Sequence, residues 1–424
     1  MAIFKHKRLE NGINVYIHPT AKFKTILVQL FFHRQLLNDE VTQSALLPAI
    51  LQRGTGTYPT RQKLALRLEE LYGTELMSEV IKKGERQLIC YTMDLVHDQF
   101  LPEEHQLLRK GLEILHDLLT NPLLAGDTFK ADYVEQEKEQ HEKVINGLIN
   151  DKIAYSVERC LQEMCAEEPF SVFKYGSLEQ LGKLDATSLF QFYQTFLQES
   201  PVDLHIIGDL NVEETFALVQ KIFTYQRGTE KKVPPTKVAV QPREVSYIRD
   251  EMDVSQGKLV LGYRTGLHYG DDDYAALVMY NGILGTFPHS KLFQNVREKA
   301  SLAYYTYSRL EKHKGLMVIS SGIETNNYER TLEIINQQVS DMQKGEFSQA
   351  DVDNTRSGLR NQYLVEEDHP GALINRTVDG ILAERVFDTK DLLARLNAVT
   401  RDDIVRIAEK IALDTVYFLT KGGV

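Results

Sequence analysis

The sequence contains itself twice, and this limits the folds open to it more than any other feature. Ala45-Leu46 precedes Gly54-Thr55 at the spacing at which Ala276-Leu277 precedes Gly285-Thr286. Two apolar helices of equal length, each stopped by a glycine, are expected from this pair. Lys82-Lys83-Gly84 leads into the strand-like Gln87–Met93 and then a helical stretch from Glu103 to Leu119. The counterpart is His313-Lys314-Gly315, the strand-like Leu316–Ile319 and the helical Tyr328–Met342. The halves also end alike. Leu184-Asp185-Ala186-Thr187 opens a helix before a strand at Leu204–Ile207, and Ala398-Val399-Thr400 opens one before Val416–Leu419, with threonine suited to the N-cap in both. A strand-and-helix order repeated over roughly 200 residues is too long for a solenoid unit and implies duplication of a whole domain.

The expected fold is therefore α+β: two homologous domains, each a mostly antiparallel sheet with helices on one face, facing each other across a cleft. Length agrees, because 424 residues exceed the usual size of one hydrophobic core. The run from Arg227-Gly228-Thr229 through Pro234-Pro235 to Pro242, rich in Pro, Lys and Thr, reads as a flexible linker. The boundaries expected are residues 1–226 for the N-terminal domain, 227–243 for the linker and 244–424 for the C-terminal domain. An open sheet edge at such a cleft would accept an extended peptide as an added strand.

A net charge of −11 argues against a nucleic-acid partner, since phosphate neutralisation needs clustered Lys and Arg without an acidic excess. The first eight residues, Met1 to Arg8, lack the apolar core of a signal peptide, and no apolar run approaches a membrane span. No membrane association and a cytoplasmic location are expected. Cys90, Cys160 and Cys165 make an odd count with no CxxC spacing, which leaves neither a disulfide framework nor a zinc ribbon. Cys160 and Cys165 are expected as small buried residues on one helix. His97, His105 and His116 fall near one helix and its preceding loop without HxxxH spacing, and read as surface or capping histidines.

The segment ending at Gly54-Thr55 has the layout of a metal-binding helix without the donors. In inverted zincins, H-x-x-E-H places two histidines four residues apart on one helix face, where they bind zinc while the glutamate activates water. Here Ser44-Ala45-Leu46-Leu47-Pro48-Ala49 stands before Ile50-Leu51-Gln52-Arg53-Gly54-Thr55. Far downstream, Leu292-Phe293-Gln294-Asn295-Val296-Arg297-Glu298-Lys299-Ala300-Ser301-Leu302-Ala303-Tyr304 sets an arginine and a tyrosine seven residues apart. Together with Leu-Glu-Asn-Gly-Ile-Asn-Val at Leu9 to Val15, the glutamate-rich Glu135 to Val144 and the strand end Ile206-Ile207-Gly208-Asp209, these motifs cover nearly the full length. They resemble the pitrilysin/insulinase-type peptidases, in the mitochondrial-processing-peptidase-like bacterial branch.

The resemblance implies a register. Family members commonly follow H-x-x-E-H with Met-Leu-Phe-Lys-Gly-Thr, which puts Ala45 and Ala49 at the histidine positions and Pro48 at the glutamate position. Alanine offers no lone pair, and proline in mid-helix removes a backbone hydrogen bond. The family's third ligand falls at Val144, or at Glu142 after a slip of a residue or two, and Glu137 matches an upstream supporting glutamate. One carboxylate without the histidine pair is too poor a site for zinc. No metal and no cofactor is therefore expected in this chain. A displaced site at His141-Glu142 is less favoured than a solvated helix face.

The resemblance further implies that Arg297 and Tyr304 bind substrate, reaching the peptide backbone and the carbonyl oxygen on which hydrolysis builds negative charge. Ala300-Ser301 replace the family's frequent Arg-Gly, and Thr286-Phe287-Pro288-His289 replace a loop usually made of Gly and Ser. Without the resemblance, Arg297 reads as a solvent-facing charge on an amphipathic helix carrying Leu292, Phe293 and Val296, and Tyr304 as a packing residue sharing a strand face with Leu302 and Thr306. The expectation is a non-catalytic subunit of a heterodimeric zinc metallopeptidase. It has no catalytic residue of its own, its HxxEH-bearing homologous partner holds the zinc, and an extended peptide or small protein is processed. The competing expectation is a scaffold or peptide-binding module of the same fold with no part in hydrolysis. An independent enzyme with a relocated metal site stands third, and a homodimer in the partner's absence is left open.

Overall fold

The computed structural model describes residues 4–103, 105–239 and 244–422. Contacts divide the chain into two compact units, one running to Asn146 and again from Val172 to Pro235, the other taking Gly147–Ser171 and everything from Thr236. The first unit carries β1 (Lys5–Arg8), β2 (Asn14–Pro19), β3 (Thr25–Gln35), β4 (Glu75–Lys83), β5 (Arg86–Val96), a two-residue hairpin of β6 (Leu124–Ala125) and β7 (Thr128–Phe129), and β8 (Val202–Gly208). The second carries β9 (Ser246–Met252), β10 (Gly257–Arg264), β11 (Ala303–Glu311), β12 (Leu316–Ile323) and β13 (Ala412–Lys421).

The sheet orders are β1-β2-β8-β3-β5-β4 and β11-β12-β10-β13-β9. Taken from its other end, the second order sets β9, β13, β10, β12 and β11 where the first has β2, β8, β3, β5 and β4. The parallel pair sits in the same place in both, β2 beside β8 and β9 beside β13, and the remaining neighbours are antiparallel. The expected α+β duplication is thus met in five strands of each sheet, with β1 and the β6–β7 hairpin added in the first unit.

The helices contributed by the first half are α1 (Val41–Leu51), α2 (Arg61–Glu70), α3 (Leu107–Thr120), α4 (Ala131–Gly147), α5 (Lys152–Met164), α6 (Leu178–Lys183), α7 (Ala186–Glu199) and α8 (Val212–Ile222). Ile26, Val28, Leu30 and Phe32 alternate along β3 into one core, which α1, α3 and α7 close with Leu46, Leu115 and Phe196. β8 is buried on both sides. Val202, Leu204 and Ile206 join that core, while Asp203 and His205 lie buried on the opposite face, where His205 stacks on Tyr16 at 4.6 Å. The N-cap of α7 is Asp185, in a capping box with Ser188, and not the expected Thr187. The Asp185 carboxylate accepts from Ser188 N and the Ser188 hydroxyl accepts from Asp185 N, so two backbone donors are satisfied two residues earlier and threonine is left inside the helix.

The second half adds α9 (Tyr274–Asn281), α10 (Tyr328–Gln343), α11 (Gln349–Glu366), α12 (Pro370–Leu382), α13 (Thr389–Ala398) and α14 (Arg401–Ala408), the last capped by Thr400 as expected. Its sheet is covered on both faces, unlike the one-sided layering expected. Leu259, Leu261, Met317, Ile319, Val416 and Phe418 face α9 and α14, whereas Val260, Val318, Tyr417 and Leu419 meet α5. Strands buried on both faces read as unbroken apolar runs. α5 belongs to the sequence range expected for the N-terminal domain, 1–226, yet it packs in the second unit. Its stripe of Val157, Cys160, Leu161 and Met164 is the reason, each such side chain contributing about 1.5–3 kcal/mol when buried. All three cysteines are buried and none is in a disulfide.

Half of the expected linker is tied down. Arg227 donates to the carbonyls of Leu197, Ser200 and Asn11, the Lys231 amide donates to Glu199 O at 2.7 Å, and Val233 is buried. In the second unit Lys314 Nζ donates to Lys237 O at 2.6 Å. Residues 240–243 of that segment lie outside the described residues. No helix among the described residues is long and apolar enough to cross a membrane.

Candidate functional site

α1 is apolar all round and buried on nearly every side, including Ala45 and Pro48. Because Pro48 has no N–H, the Ser44 carbonyl receives no helix bond from it. The helix ends before Gly54, whose φ of 147° and close approach to the Tyr58 carbonyl, 2.6 Å from where a Cβ would stand, exclude any side chain. Gly285 is held in the same way by Ser308, whose amide would lie 2.6 Å from a Cβ. The repeated glycine is therefore a packing requirement in both units. The second helix does not stop at it: a π-helical turn, Gly282–Thr286, carries α9 onward, so the two helices differ in length from the equal pair expected.

The helix opposite α1 offers no metal donor set either. Glu137 is buried and accepts from Arg53 Nε, and the guanidinium also lies over the Tyr133 ring at 5.2 Å. His141 is buried, which lowers its pKa below the ordinary imidazole value, and its Nε2 donates to the Tyr175 carbonyl at 2.8 Å. Val144 and Glu142 are both exposed. Among the described residues no group of three or more His, Cys, Asp or Glu is arranged to hold a metal ion. Two alanines, a proline and a valine stand where zinc would need imidazole and carboxylate, and the supporting carboxylate is neutralised by arginine. These residues do not fit the ion.

The Arg/Tyr segment is shaped differently from the amphipathic α-helix expected. Phe293–Lys299 is a π-helical turn, closed by Ala300 N to Asn295 O at 3.3 Å and Leu302 N to Val296 O at 3.1 Å. Such wide turns insert a residue and change which side chains face out. Leu292 and Val296 are buried beneath it, and Arg297 is 45% exposed, its guanidinium 4.7 Å from the Phe293 ring centre and its Nε 3.7 Å from Glu298. Ser301 adopts φ 52° where the family pattern has glycine.

Tyr304 does not share a strand face with Thr306. The register of β11 against β12 slips between Ala303 and Tyr305, so Tyr304 is the extra residue of a bulge; Thr306 is buried while Tyr304 is 59% exposed. Two adjacent aromatics on an edge strand give no alternation from which such a slip could be read. The Tyr304 hydroxyl donates to Glu324 Oε1 at 2.9 Å, which holds its pKa above the ordinary phenol value. Glu324 is a site residue that the motif does not contain. Arg297 and Tyr304 thus project from one π-turn and the strand that follows it, each with its own partner. The unusual loop before them is packed: Phe287 stacks on His289 at 5.3 Å, and His289 Nε2 lies 2.9 Å from Thr355 Oγ1.

The three other histidines hold no site. His97 caps a short 3-10 turn by accepting from Gln99 N at 3.1 Å, His105 meets the Tyr72 hydroxyl at 2.8 Å, and His116 packs against Phe223 and Tyr225.

Residues 183–359 match the peptidase M16 inactive domain. A protein named probable inactive metalloprotease YmfF, from Bacillus subtilis (strain 168), is 39% identical over 415 residues, 97% of each chain. One named uncharacterized zinc protease YmxG, from the same strain, is 22% identical over 417 residues, 96% of each. The crystal structure of a conserved protein from Enterococcus faecalis superposes with a TM-score of 0.91 at 29% identity, covering 99% of each chain. With its fold, its donor-free α1 and this relationship, the chain belongs to the M16 family, the pitrilysin/insulinase-type peptidases, among the members that lack the metal motif.

Proposed function

We propose that this chain is the metal-free subunit of a two-chain zinc peptidase, and that Arg297 and Tyr304 act on the peptide held at a homologous partner's metal site. The observation that carries this reading is the contrast between the two motifs. Both histidine positions of the metal motif hold alanine and its glutamate position holds proline, while Arg297 and Tyr304 are present and exposed. The occurrence of an inactive metalloprotease relative and a zinc protease relative in one organism supports a division of labour between two such chains. Arg297 would fork two hydrogen bonds to the peptide backbone, and the Tyr304 hydroxyl would donate to the carbonyl oxygen as charge gathers there. Water activation would fall to the partner. Cytoplasmic residence belongs to the same reading and is supported by three buried cysteines outside any disulfide.

The test is reconstitution. Mixed with an H-x-x-E-H-bearing homologue from its own organism, the chain should give peptide cleavage that neither shows alone. Arg297→Ala in the mixture should lower kcat by about tenfold to a thousandfold, the range for losing one oxyanion donor. The scaffold reading is favoured by one feature, the stacking of Arg297 on its own neighbour Phe293. If it holds, activity will be indifferent to both Arg297→Ala and Tyr304→Phe.

A further inference from the structure

The second unit holds a half-open cavity of about 160 Å³ that none of the motifs above reaches. Four rings form its walls: Tyr269, Tyr274, Tyr363 and Phe387. Tyr269 stands 5.6 Å from Tyr274 and 5.8 Å from Phe387, centre to centre. An apolar cavity of about 150 Å³ admits benzene, so the space suits one phenyl-sized or branched alkyl group.

The charges at its rim are unevenly matched. Lys312 pairs with Asp379, and Arg376 with Glu366 at 2.5 Å. Arg395 donates to the carbonyls of Asp271, at 2.5 Å, and Asp272, at 3.1 Å, and its one carboxylate pairing is a long contact of 3.8 Å with Asp272, a side chain that is 84% exposed. Its guanidinium lies over the Phe387 ring at 4.4 Å. On the same ring, the Tyr269 hydroxyl is buried and has no hydrogen-bond partner among the described residues. Burial and the nearby Asp379 raise the Tyr269 pKa, so the hydroxyl remains a donor at neutral pH. A cationic guest is disfavoured, because Lys312 already lies over Tyr269, and Arg385 and Arg395 over Phe387.

We infer that this cavity binds a small carboxylate bearing one aromatic or branched apolar group, the group lodged among the rings and the carboxylate accepting from Arg395 and Tyr269. This site is separate from the Arg297/Tyr304 motif and does not depend on the pairing proposed above. A free acid and the C-terminal residue of a peptide share the chemistry.

Calorimetric titration of the full chain with hydrocinnamate, its neutral amide and an N-acetylated tripeptide ending in phenylalanine tests it. Hydrocinnamate should bind at one site with a dissociation constant on the order of a millimolar or tighter. The amide, and hydrocinnamate on Arg395→Gln, should each bind at least about tenfold more weakly. Ala275→Leu, which adds bulk to the cavity wall on a helix other than that of Arg395, should abolish binding, so a folding defect at position 395 would not hide the result. Tighter binding of the tripeptide assigns the site to a peptide terminus, and its failure beside a bound acid assigns it to the free acid. The inference is overturned if hydrocinnamate shows no saturable binding, or if the amide and both variants bind as the parent acid and chain do.

Discussion

Glu168 offers the sharpest test of how the second unit is held together. It lies just past α5 and accepts from Lys314 Nζ at 2.5 Å and Arg264 Nη2 at 2.7 Å, while Arg264 Nε bonds Asp414 at 2.8 Å. Lys314 is fully buried and the Arg264 side chain is 6% exposed. Deleting one member of a buried pair costs about 3–5 kcal/mol, because the other charge stays behind. Glu168 is itself 23% exposed, and glutamine would keep an oxygen for one of the two cations, so about 2–3 kcal/mol is expected for Glu168→Gln. At about 1.4 kcal/mol per factor of ten, amide-exchange protection across α5 should fall by roughly 30- to 150-fold at neutral pH. Glu163→Gln, in a half-exposed pair with Arg159 on the same helix, is the control and should change protection by less than about threefold. Burial alone would raise the Glu168 pKa, but Lys314 and Arg264 outweigh it and hold it below the ordinary value of 4.5. The contribution is therefore complete above that value and lost as pH falls through the lower folded value, so acid should narrow the gap between parent and variant. Equal protection in the two variants at pH 7 would refute the argument that this cluster anchors α5.

Three further outcomes follow from single observations. Ser301→Gly should stabilise the chain by about 0.5 kcal/mol in urea melts, the relief of a left-handed serine less the greater unfolded entropy of glycine; a clear loss would mean that the turn is not strained. His205 is fully buried and burial depresses its pKa to about 4, so the unfolded chain takes up its proton first as pH falls from 6.5; about 3 kcal/mol should be lost by pH 4, and His205→Phe should blunt that acid sensitivity. In the reconstituted pair, Glu324→Gln should bring the alkaline limit of activity down toward the ordinary phenol value, and an unmoved limit would remove Tyr304 from the proton inventory.

Much of the architecture could be read beforehand because duplication writes the same local signals twice. Gly54 and Gly285 mark equivalent close approaches, and the lysine- or histidine-flanked Gly84 and Gly315 precede equivalent strands. The attachment of α5 was out of reach, since Val157, Cys160 and Leu161 announce an apolar face without saying which sheet it meets. The parallel pairs β2/β8 and β9/β13 join strands distant in sequence, and no periodicity carries that information. At the site, the missing donors were visible as residue identities. The π-turn beneath Arg297 and the bulge at Tyr304 depend on backbone register, which adjacent Tyr304 and Tyr305 leave ambiguous. The aromatic cavity gathers rings from Tyr269 to Phe387, each of which alone looks like ordinary core.

The seclusion of α1 makes its history hard to reverse. A histidine placed alone at position 45 would bring an unpartnered imidazole into a helix enclosed by leucine and isoleucine, at about 1–3 kcal/mol, with no second metal ligand until positions 49 and 144 had changed too, and no base until position 48 had. Each step back is harmful until the last, and Arg53 would still claim Glu137. A zinc site on this helix would therefore need several changes made together, not one at a time.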